Sequence, residues 1–588
     1  TESMLLEEAV QKMRGRKGTS VNLTVMRKGW TQGKEYRITR DTINIVSIES
    51  ELLKNRFGYV KVKAFQEDTT SSLEKHLKKL TERAGGKLRG VILDLRNNPG
   101  GLLDQAIGVS DVFLDKGVIV STVGPRKKVL EKDDARENGT EPNYPIVVLT
   151  NMGSASASEI VSGSLKENRR AIILGEQTFG KGTVQQLFSL PPESALKLTI
   201  AKYLNAGEVS IQNTGIMPEV QTLASVVKKD FVDLFENEDT FREERLEGHF
   251  STQAKETQEK PEVSIRYLAG TDGEEADPDA TILSSLDPPK KREEKLLKNF
   301  DIQFATRILE DTRSASPKDL VQSAKKLAPA IASEEDAKIR AALTKQGIDW
   351  AQGAEAGKSC AAPSIQWSLW NNQKATPVAR AGEKLTLRVE ANNPSSCTFY
   401  RLKAISKSKT FIFSDHEFLF GKVGPAQKII RTVKVELPKS TPSGLIPVEF
   451  ELSDPKNLHD LRVQGEIPVE SIPAPDFGFS YATTEGAQAG KSVDVTFYIK
   501  NIGKQSTEKA TIALKPEEGS SVEIRRNRMP IATLKPGEER AYAFTVAVPS
   551  KFSDSNAYLN LEITDFTYRS FLTKKITLPI GTRDIART

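Results

Sequence analysis

The sequence predicts a multidomain chain of α/β plus all-β class, and three observations carry that reading. At roughly 150 residues per domain, a chain of 588 residues calls for several separate cores. Between Arg56 and Leu223 apolar strands alternate with helical segments, the pattern of a helix-flanked and largely parallel sheet. From residue 361 onward, blocks of alternating strand residues recur with a spacing of roughly 110 residues, which predicts two successive β-sandwiches of immunoglobulin-like type.

Composition sets the outer limits. Hydrophobic residues at 38% and charged residues at 28%, with 39 Gly and 29 Pro, describe a globular chain and exclude disordered and collagenous polymers. A formal net charge of +6 over this length offers no basic stripe, so nucleic acid is not an expected partner. No apolar run approaches the 18 or so residues of a membrane span, and runs such as Val147–Leu149 are strand-sized. The start at Thr1 has no charged and apolar leader pattern, and any export signal would lie upstream, so its absence says nothing about compartment. The cysteine pair Cys360 and Cys397 excludes a disulfide framework and a four-cysteine zinc site.

Along the chain, residues 1–45 open with a helical pattern (Leu5, Leu6, Ala9, Val10, Met13) and continue, after Gly15 and Gly18, as alternating strands through Val21, Leu23, Val25 and then Tyr36 and Ile38. Residues 46–225 hold the α/β pattern: a strand at Tyr59–Val62, a helix at Ser71–Arg83, a strand at Gly90–Leu95, a helix after Gly100 and Gly101, a strand ending at Leu149 and a helix from about Ser156. In such a sheet, chemistry belongs at the C-terminal strand ends. Residues 226–300 are charged and poor in aromatics, and are expected to form a linker or insertion. A helical segment, 301–360, follows, with one start at Ser316, Pro317 and Asp319 and a second at Ser333 and Asp336. The sandwiches then span 361–472 and 473–588. Their repeat pairs "ARAGEKLTLRVEANNPSS" with "AQAGKSVDVTFYIKNIGKQS", each with an Asn eleven positions after its Gly. Cys360 precedes the first sandwich strand, so the likeness to antibody domains is one of architecture only.

The densest chemical signal is Gly153-Ser154-Ala155-Ser156-Ala157-Ser158-Glu159, between an apolar strand and an amphipathic helix. Small residues at a strand-to-helix corner expose a serine hydroxyl, and the helix N-terminal amides favour negative charge developing there. The plain structural alternative is a serine N-cap with Glu159 in the first helical turn. A nucleophilic serine needs a base, and His76, His249, His416 and His459 all lie in contexts unsuited to supplying it. Lys181, in "GEQTFGKGTVQQ", stands between two apolar strands. Desolvation penalises an ammonium, and a neutral amine can act as general base. The same segment fails as a phosphate-binding loop, because Gly182 stands where a hydroxyl is required and a strand follows where a helix should.

"VILDLRNNPGGLLDQAI" (91–107), "PIVVLTNMGSASASEIVSGSLKENRRAIILGEQTFGKGTVQQ" (145–186) and "LTIAKYLNAGEVSIQNTGIMPEV" (198–220) together resemble the core of the C-terminal processing, or tail-specific, serine protease family. "EEAVQKMRGRKGTSVNLTVMRKG" resembles the last helix and strands of a PDZ domain whose front half would precede Thr1. The resemblance extends to "FREERLEGHF" (241–250) and towards residue 312, and does not reach the sandwiches. It implies Ser156 as nucleophile, Lys181 as base, Gln185 as the residue orienting that lysine, and an oxyanion hole made by the Ala157 amide and that of Gly100 or Gly101. It implies no metal or organic cofactor. Expected partners are protein or peptide substrates with accessible C-terminal tails, and an envelope protein bound through the sandwiches. The implied location is periplasmic or otherwise extracytoplasmic, where a bridge between Cys360 and Cys397 is expected. The rival reading is a catalytically silent, protease-like scaffold serving as an extracytoplasmic binding or adhesion protein.

Overall fold

The computed structural model describes residue 10, then 12–25, 34–41, 46–124, 128–137, 139–190, 194–206, 210–229, 231–235, 259–271, 288–312, 314–354, 360–455, 460–484, 486–517, 520–524 and 526–581. Of the expected helix from Leu5 to Met13, residues 10, 12 and 13 are described and helical and the rest lie outside these, as does the family-like segment 241–250. Two compact units result, one of Ile43–Ala351 and one of Thr1–Thr42 with Gln352–Thr588.

In the second of these, β1 (Ser20–Val25) and β2 (Lys34–Thr39) form an antiparallel hairpin. The Arg40 guanidinium closes its open end, donating to the carbonyl oxygens of Lys12, Met13 and Ser20.

The unit Ile43–Ala351 is built on one mixed sheet. Its strands are β3 (Ile48–Leu53), β4 (Phe57–Val62) and β5 (Gly90–Asp94). A separate antiparallel sheet uses β6 (Val118–Val123) and β7 (Val129–Asp134). The main sheet continues through β8 (Ile146–Thr150) and β9 (Ile172–Gly175), whereas β10 (Thr183–Leu190) and β11 (Ser194–Asn205) join the second sheet in the order β10-β11-β6-β7. In the main sheet β4, β5, β8 and β9 run parallel, as does β12 (Val220–Lys228), which meets β9 at Val220 and Gln221. The strands β13 (Phe231–Asp233) and β14 (Val263–Thr271) pair with β12.

The parallel strands β4, β5, β8 and β9 are buried on both faces, so their residues supply two cores. Val60, Val62, Val91, Leu93, Ile146 and Val148 point to one side. There they meet α1 (Thr69–Arg83), α2 (Leu103–Asp111) and α3 (Ala157–Glu167), through Leu73, Leu77, Val109, Ile160 and Val161 among others. Tyr59, Ile92, Val147, Leu149 and Leu174 point to the other side. The short α4 (Pro289–Leu296) reaches that core with Leu296, and α5 (Phe300–Asp311) and α6 (Pro317–Lys345) cover it with Ile302, Ile308, Leu320 and Ala324.

Three expectations are corrected here. Residues 226–300 are not simply a charged linker: Val263, Ile265 and Tyr267 alternate inward from β14, which lies in register beside β12 from Val220 to Val227, and Pro289–Leu296 is helical. The expected helical segment 301–360 is not separate either, since its helices Phe300–Asp311 and Pro317–Lys345 supply one layer over the sheet of 46–225. Ser333 opens no new helix, because α6 runs unbroken for 29 residues with Pro329 inside it. Its buried face continues through Ile331, Ile339 and Leu343. A proline removes one N–H, and here sustained burial outweighs that loss.

Residues 361–581 form two β-sandwiches, each with its own core. Leu387 and Val389 of one sheet face Ala404 and Phe450 of the other in the first. Val495 and Phe497 face Ile512 and Leu561 in the second. The sequence repeat is a structural one. Gly382 and Gly490 both take left-handed φ, +83° and +80°, and their N–H groups donate to Leu437 and Val548. Asn393 and Asn501, both fully buried, hold the following loops: Asn393 Nδ2 donates to the Cys397 and Val423 carbonyls, and Asn501 Nδ2 to those of Gln505 and Leu534. Among the described residues no helix is long and apolar enough to cross a membrane.

Cys360 and Cys397 are joined in a disulfide with Cα atoms 6.1 Å apart and a sequence separation of 37. By chain entropy such a loop stabilises the folded domain by about 4 kcal/mol. Thiol labelling of the denatured, unreduced protein is therefore expected to find no free cysteine. Reduction should lower the denaturant midpoint of the first sandwich and leave that of the second unchanged; an unshifted midpoint would refute the stabilising role.

Candidate active site

Adjacent parallel strands end side by side, and β5 and β8 pair from Val91–Ile146 to Asp94–Leu149. The turns leaving them are therefore in contact. Leu95 N–H donates to the Leu149 carbonyl, Ser154 Oγ to that of Leu95, and both the Ala155 N–H and Ser158 Oγ to that of Asn98. Asn98 is buried and ties its turn to β4 by donating from Nδ2 to the Val62 carbonyl at 2.8 Å. Its Oδ1 accepts the Gly100 N–H at 2.9 Å. Gly100 has φ +103°, and a Cβ there would sit 2.8 Å from the Ala155 oxygen and 2.9 Å from Ser156 Cβ. Only glycine lets the two turns approach this closely.

Ser156, half-buried at the head of α3, has φ 56° and ψ −113°. A non-glycine residue held there costs about 1–3 kcal/mol and needs its surroundings to enforce it. The neighbouring bonds to Asn98 and Leu95 do so from one side, and Glu159 from the other. The Ala157 N–H opens α3 and, like the Gly101 N–H, has no hydrogen-bond partner among the described residues. Both are free donors beside Ser156 and its facing turn.

Glu159 is fully buried, at 0% exposure. Its Oε2 accepts the N–H of Ser156 at 2.8 Å and of Lys181 at 2.9 Å. Its Oε1 accepts the Thr178 hydroxyl at 2.6 Å and the Gly180 N–H at 2.7 Å. One carboxylate thus fastens the serine corner to the lysine loop. Burial pushes its pKa up from 4.5 to about 7, against the four hydrogen bonds that favour the anion. The lysine loop is held from its other side by the chain around Ile211 to Ile216: Thr178 Oγ1 accepts the Ile216 N–H at 2.7 Å, and the Gly182 N–H donates to Gln212 Oε1 at 2.8 Å.

Ser156, Ala157, Gly100 and the Lys181 backbone are thus brought together by direct bonds or close contact. Lys181 is half-buried and Gln185, on the first turns of β10, is exposed. Among the described residues no hydrogen bond joins the Ser156 hydroxyl to Lys181, or Lys181 to Gln185. His76 bonds Ser50 on β3 and His416 bonds the Ile412 carbonyl, while His249 and His459 lie outside the described residues. Among the described residues no His, Cys, Asp and Glu group is arranged to hold a metal ion. Sequence reasoning treated Glu159 only as a first-turn acid. The signal available was its setting, as the one charged residue in the small and apolar run Ala157–Leu165.

Comparison with known proteins bears on this same stretch of chain. The model of Peptidase family S41 matches residues 56–222, which include both turns, Glu159 and Lys181. The chain is similar to the carboxy-terminal-processing protease of Bartonella bacilliformis, 40% identical over 265 residues, 45% of this chain and 59% of that protein. The carboxy-terminal processing protease CtpA of Bacillus subtilis is 39% identical over 234 residues, 39% of this chain and 48% of its own. Among solved structures, a photosystem II D1 C-terminal processing protease aligns with a TM-score of 0.28 at 28% identity, covering 35% of this chain and 56% of that one. The chain thus spans about half to three-fifths of the length of these relatives.

The buried carboxylate generates a pH signature. Its folded pKa, about 7, lies above the ordinary 4.5. The protonated form is the cheaper one to bury, so the contribution of Glu159 to stability is full below pH 4.5 and is lost as pH rises through 7. Wild type should lose about 3 kcal/mol relative to Glu159→Gln across that window. The amide keeps only one acceptor oxygen, so two donors go unsatisfied and the variant should be the less stable at low pH. Denaturant unfolding at pH 4.5 and pH 8 measures both; a gap that does not change with pH would refute the raised pKa.

Proposed function

We propose that this chain is a serine endopeptidase that cleaves protein substrates near their C-termini through an acyl-enzyme, with Ser156 as nucleophile and Lys181 as general base. The observation that carries the reading is Ser156 itself: a strained serine at a strand-to-helix corner, beside an unused helix N-terminal amide, fastened through Glu159 to the loop bearing Lys181, in a segment of peptidase family S41. A neutral Lys181 amine takes the Ser156 proton, the alkoxide attacks the scissile carbonyl, and the oxyanion is received by the Ala157 N–H and an N–H of the Gly100–Gly101 turn. The lysine then returns its proton to the leaving amine, and water repeats the sequence on the ester.

This scheme requires the Lys181 side chain to swing towards the Ser156 hydroxyl, and Gln185 to orient it from β10. Gly100 lies against Ser156 but gives its N–H to Asn98, whereas the Gly101 N–H is unengaged. Use of Gly100 as donor therefore requires Asn98 Oδ1 to release it.

The same proposal extends to the rest of the chain. The hairpin of β1 and β2 is read as the closing part of a PDZ domain that presents substrate tails. The two sandwiches are read as immunoglobulin-like modules that bind an envelope protein. The whole is assigned to the periplasm or another extracytoplasmic space, where the Cys360–Cys397 disulfide is at home.

Ser156→Ala and Lys181→Ala are each expected to reduce cleavage of an unfolded protein to background, because both act in one proton transfer, and neither should disturb folding. Gln185→Ala should retain part of the activity. Mass spectrometry of a test protein's C-terminal tail measures all three. Cleavage that survives Ser156→Ala would refute the nucleophile, and a wild-type chain that cleaves nothing would favour the silent-scaffold reading.

A further inference from the structure

Among the described residues Arg96 is the largest fully buried polar side chain, 1% exposed, and it stands one residue before the Asn97–Gly101 turn. Burying a guanidinium is costly unless its charge is balanced and its N–H groups are bonded. Part of the balance is local: Nε and Nη2 donate to the two oxygens of Asp94 at 3.0 and 2.8 Å, and the Arg96 backbone N–H also donates to Asp94. The rest comes from far along the chain. Nη1 donates at 3.0 Å to Asp301 Oδ2 and at 3.0 Å to Asn299 Oδ1, groups 205 and 203 residues away. Asn299 caps α5 by accepting the Ile302 N–H, and Asp301 sits in its first turn. Thr222, at the third residue of β12, donates its hydroxyl to Asp301 Oδ1 at 2.8 Å. Asp94 in turn accepts the Tyr59 hydroxyl at 2.7 Å from β4, with buried Lys61 as a second nearby cation.

The cluster therefore joins three strands and one helix beneath the turn that faces Ser156. Asp301 bonds both Arg96 and β12. We propose that Asp301 is a positioning residue for the Asn97–Gly101 turn, acting through Arg96, and that the helix Phe300–Asp311, beyond the matched segment 56–222, is therefore part of the catalytic unit. The inference rests on the proposed function only in taking this turn to face the reacting serine. Removal of the Asp301 charge leaves Nη1 without its ionic partner; Arg96 then shifts or draws in water, and the turn that follows it moves with it. Misplacement of an oxyanion donor by about 1 Å costs roughly 100-fold in rate.

The test uses the full chain with Asp301→Asn, which preserves shape, and Thr222→Val, which removes the second hold on Asp301. Hydrogen exchange is read at the Asn98, Gly100 and Leu102 amides, which are bonded to Leu95, Asn98 and Phe65. Beyond any increase set by global unfolding, both variants should exchange there at least tenfold faster than wild type, and kcat should fall roughly 10- to 100-fold with KM within about twofold. Thr222→Val should show the smaller effect. Exchange at the turn equal to wild type in both variants overturns the proposal whatever the activity, as does a loss of kcat that only tracks the unfolded fraction. Ser156→Ala provides the separation from the protease reading: it should abolish cleavage with turn exchange unchanged. Wild type without cleavage would sink that reading, and the exchange data would still decide the role of Asp301.

Discussion

One buried carboxylate holds the candidate site together. Glu159 receives four donors, and two of them are the backbone N–H groups of Ser156 and Lys181, residues 25 positions apart that no direct bond connects. Hydrogen bonds to a charged group contribute about 1.5–3 kcal/mol each, which exceeds the 1–3 kcal/mol of strain in the Ser156 backbone once two or more are made. Against them stands the desolvation of the carboxylate, which lifts its pKa to about 7. Desolvation wins, so the fold holds Glu159 more readily protonated than ionised, a consequence of using one buried acid to satisfy donors from two loops.

A second constraint comes from the sheet. Parallel strands with apolar residues on both faces must be covered twice, and the helices that cover the two faces carry different parts of the site. On one face α3 supplies Ala157 and Glu159 directly. On the other, α5 reaches the same strand ends only through a charged group, Arg96, whose guanidinium passes beneath the turn. Hydrophobic cover alone would leave the rotation and height of α5 loosely defined, whereas an ion pair with fixed N–H directions sets them. The cost of burying three charges at the strand ends is accepted where position matters most.

Much of this was legible in the sequence, and the reasons for the rest are physical. The alternation of strands and helices, the turn after Gly100, the corner at Ser156 and the strand beginning at Thr183 all follow from local pattern, which is where sequence periodicity speaks. Missed were features defined by partners far along the chain. The inward alternation of Val263, Ile265 and Tyr267 was masked by charged neighbours on both sides. The helices after Pro289 look like an appendage until the second face of the sheet demands a layer. Ser333 and Asp336 form a capping signature, but a cap acts only where a helix starts, and the apolar face of α6 continues past it. Glu159 and Arg96 carry charges that composition alone assigns to solvent, and only the fold reveals that each is enclosed by donors or acceptors matched to it.

The sandwiches show the opposite case, in which a short repeat does specify a tertiary device. A glycine in the left-handed region begins each strand, and an asparagine eleven residues on is buried with its amide spanning two loops. An asparagine can do this because its side chain offers two donors and an acceptor in one plane, so a single residue replaces several backbone bonds that the turn leaves unmade. In the first sandwich the loop held by Asn393 also carries Cys397, whose carbonyl accepts from the same amide. The disulfide to Cys360 therefore anchors the start of the domain to a loop that is already fixed. A cross-link to a rigid point restrains the preceding chain more than one to a mobile loop would. The second sandwich has the same asparagine clamp and no cysteine, so there the loop is held by packing and hydrogen bonds without a cross-link.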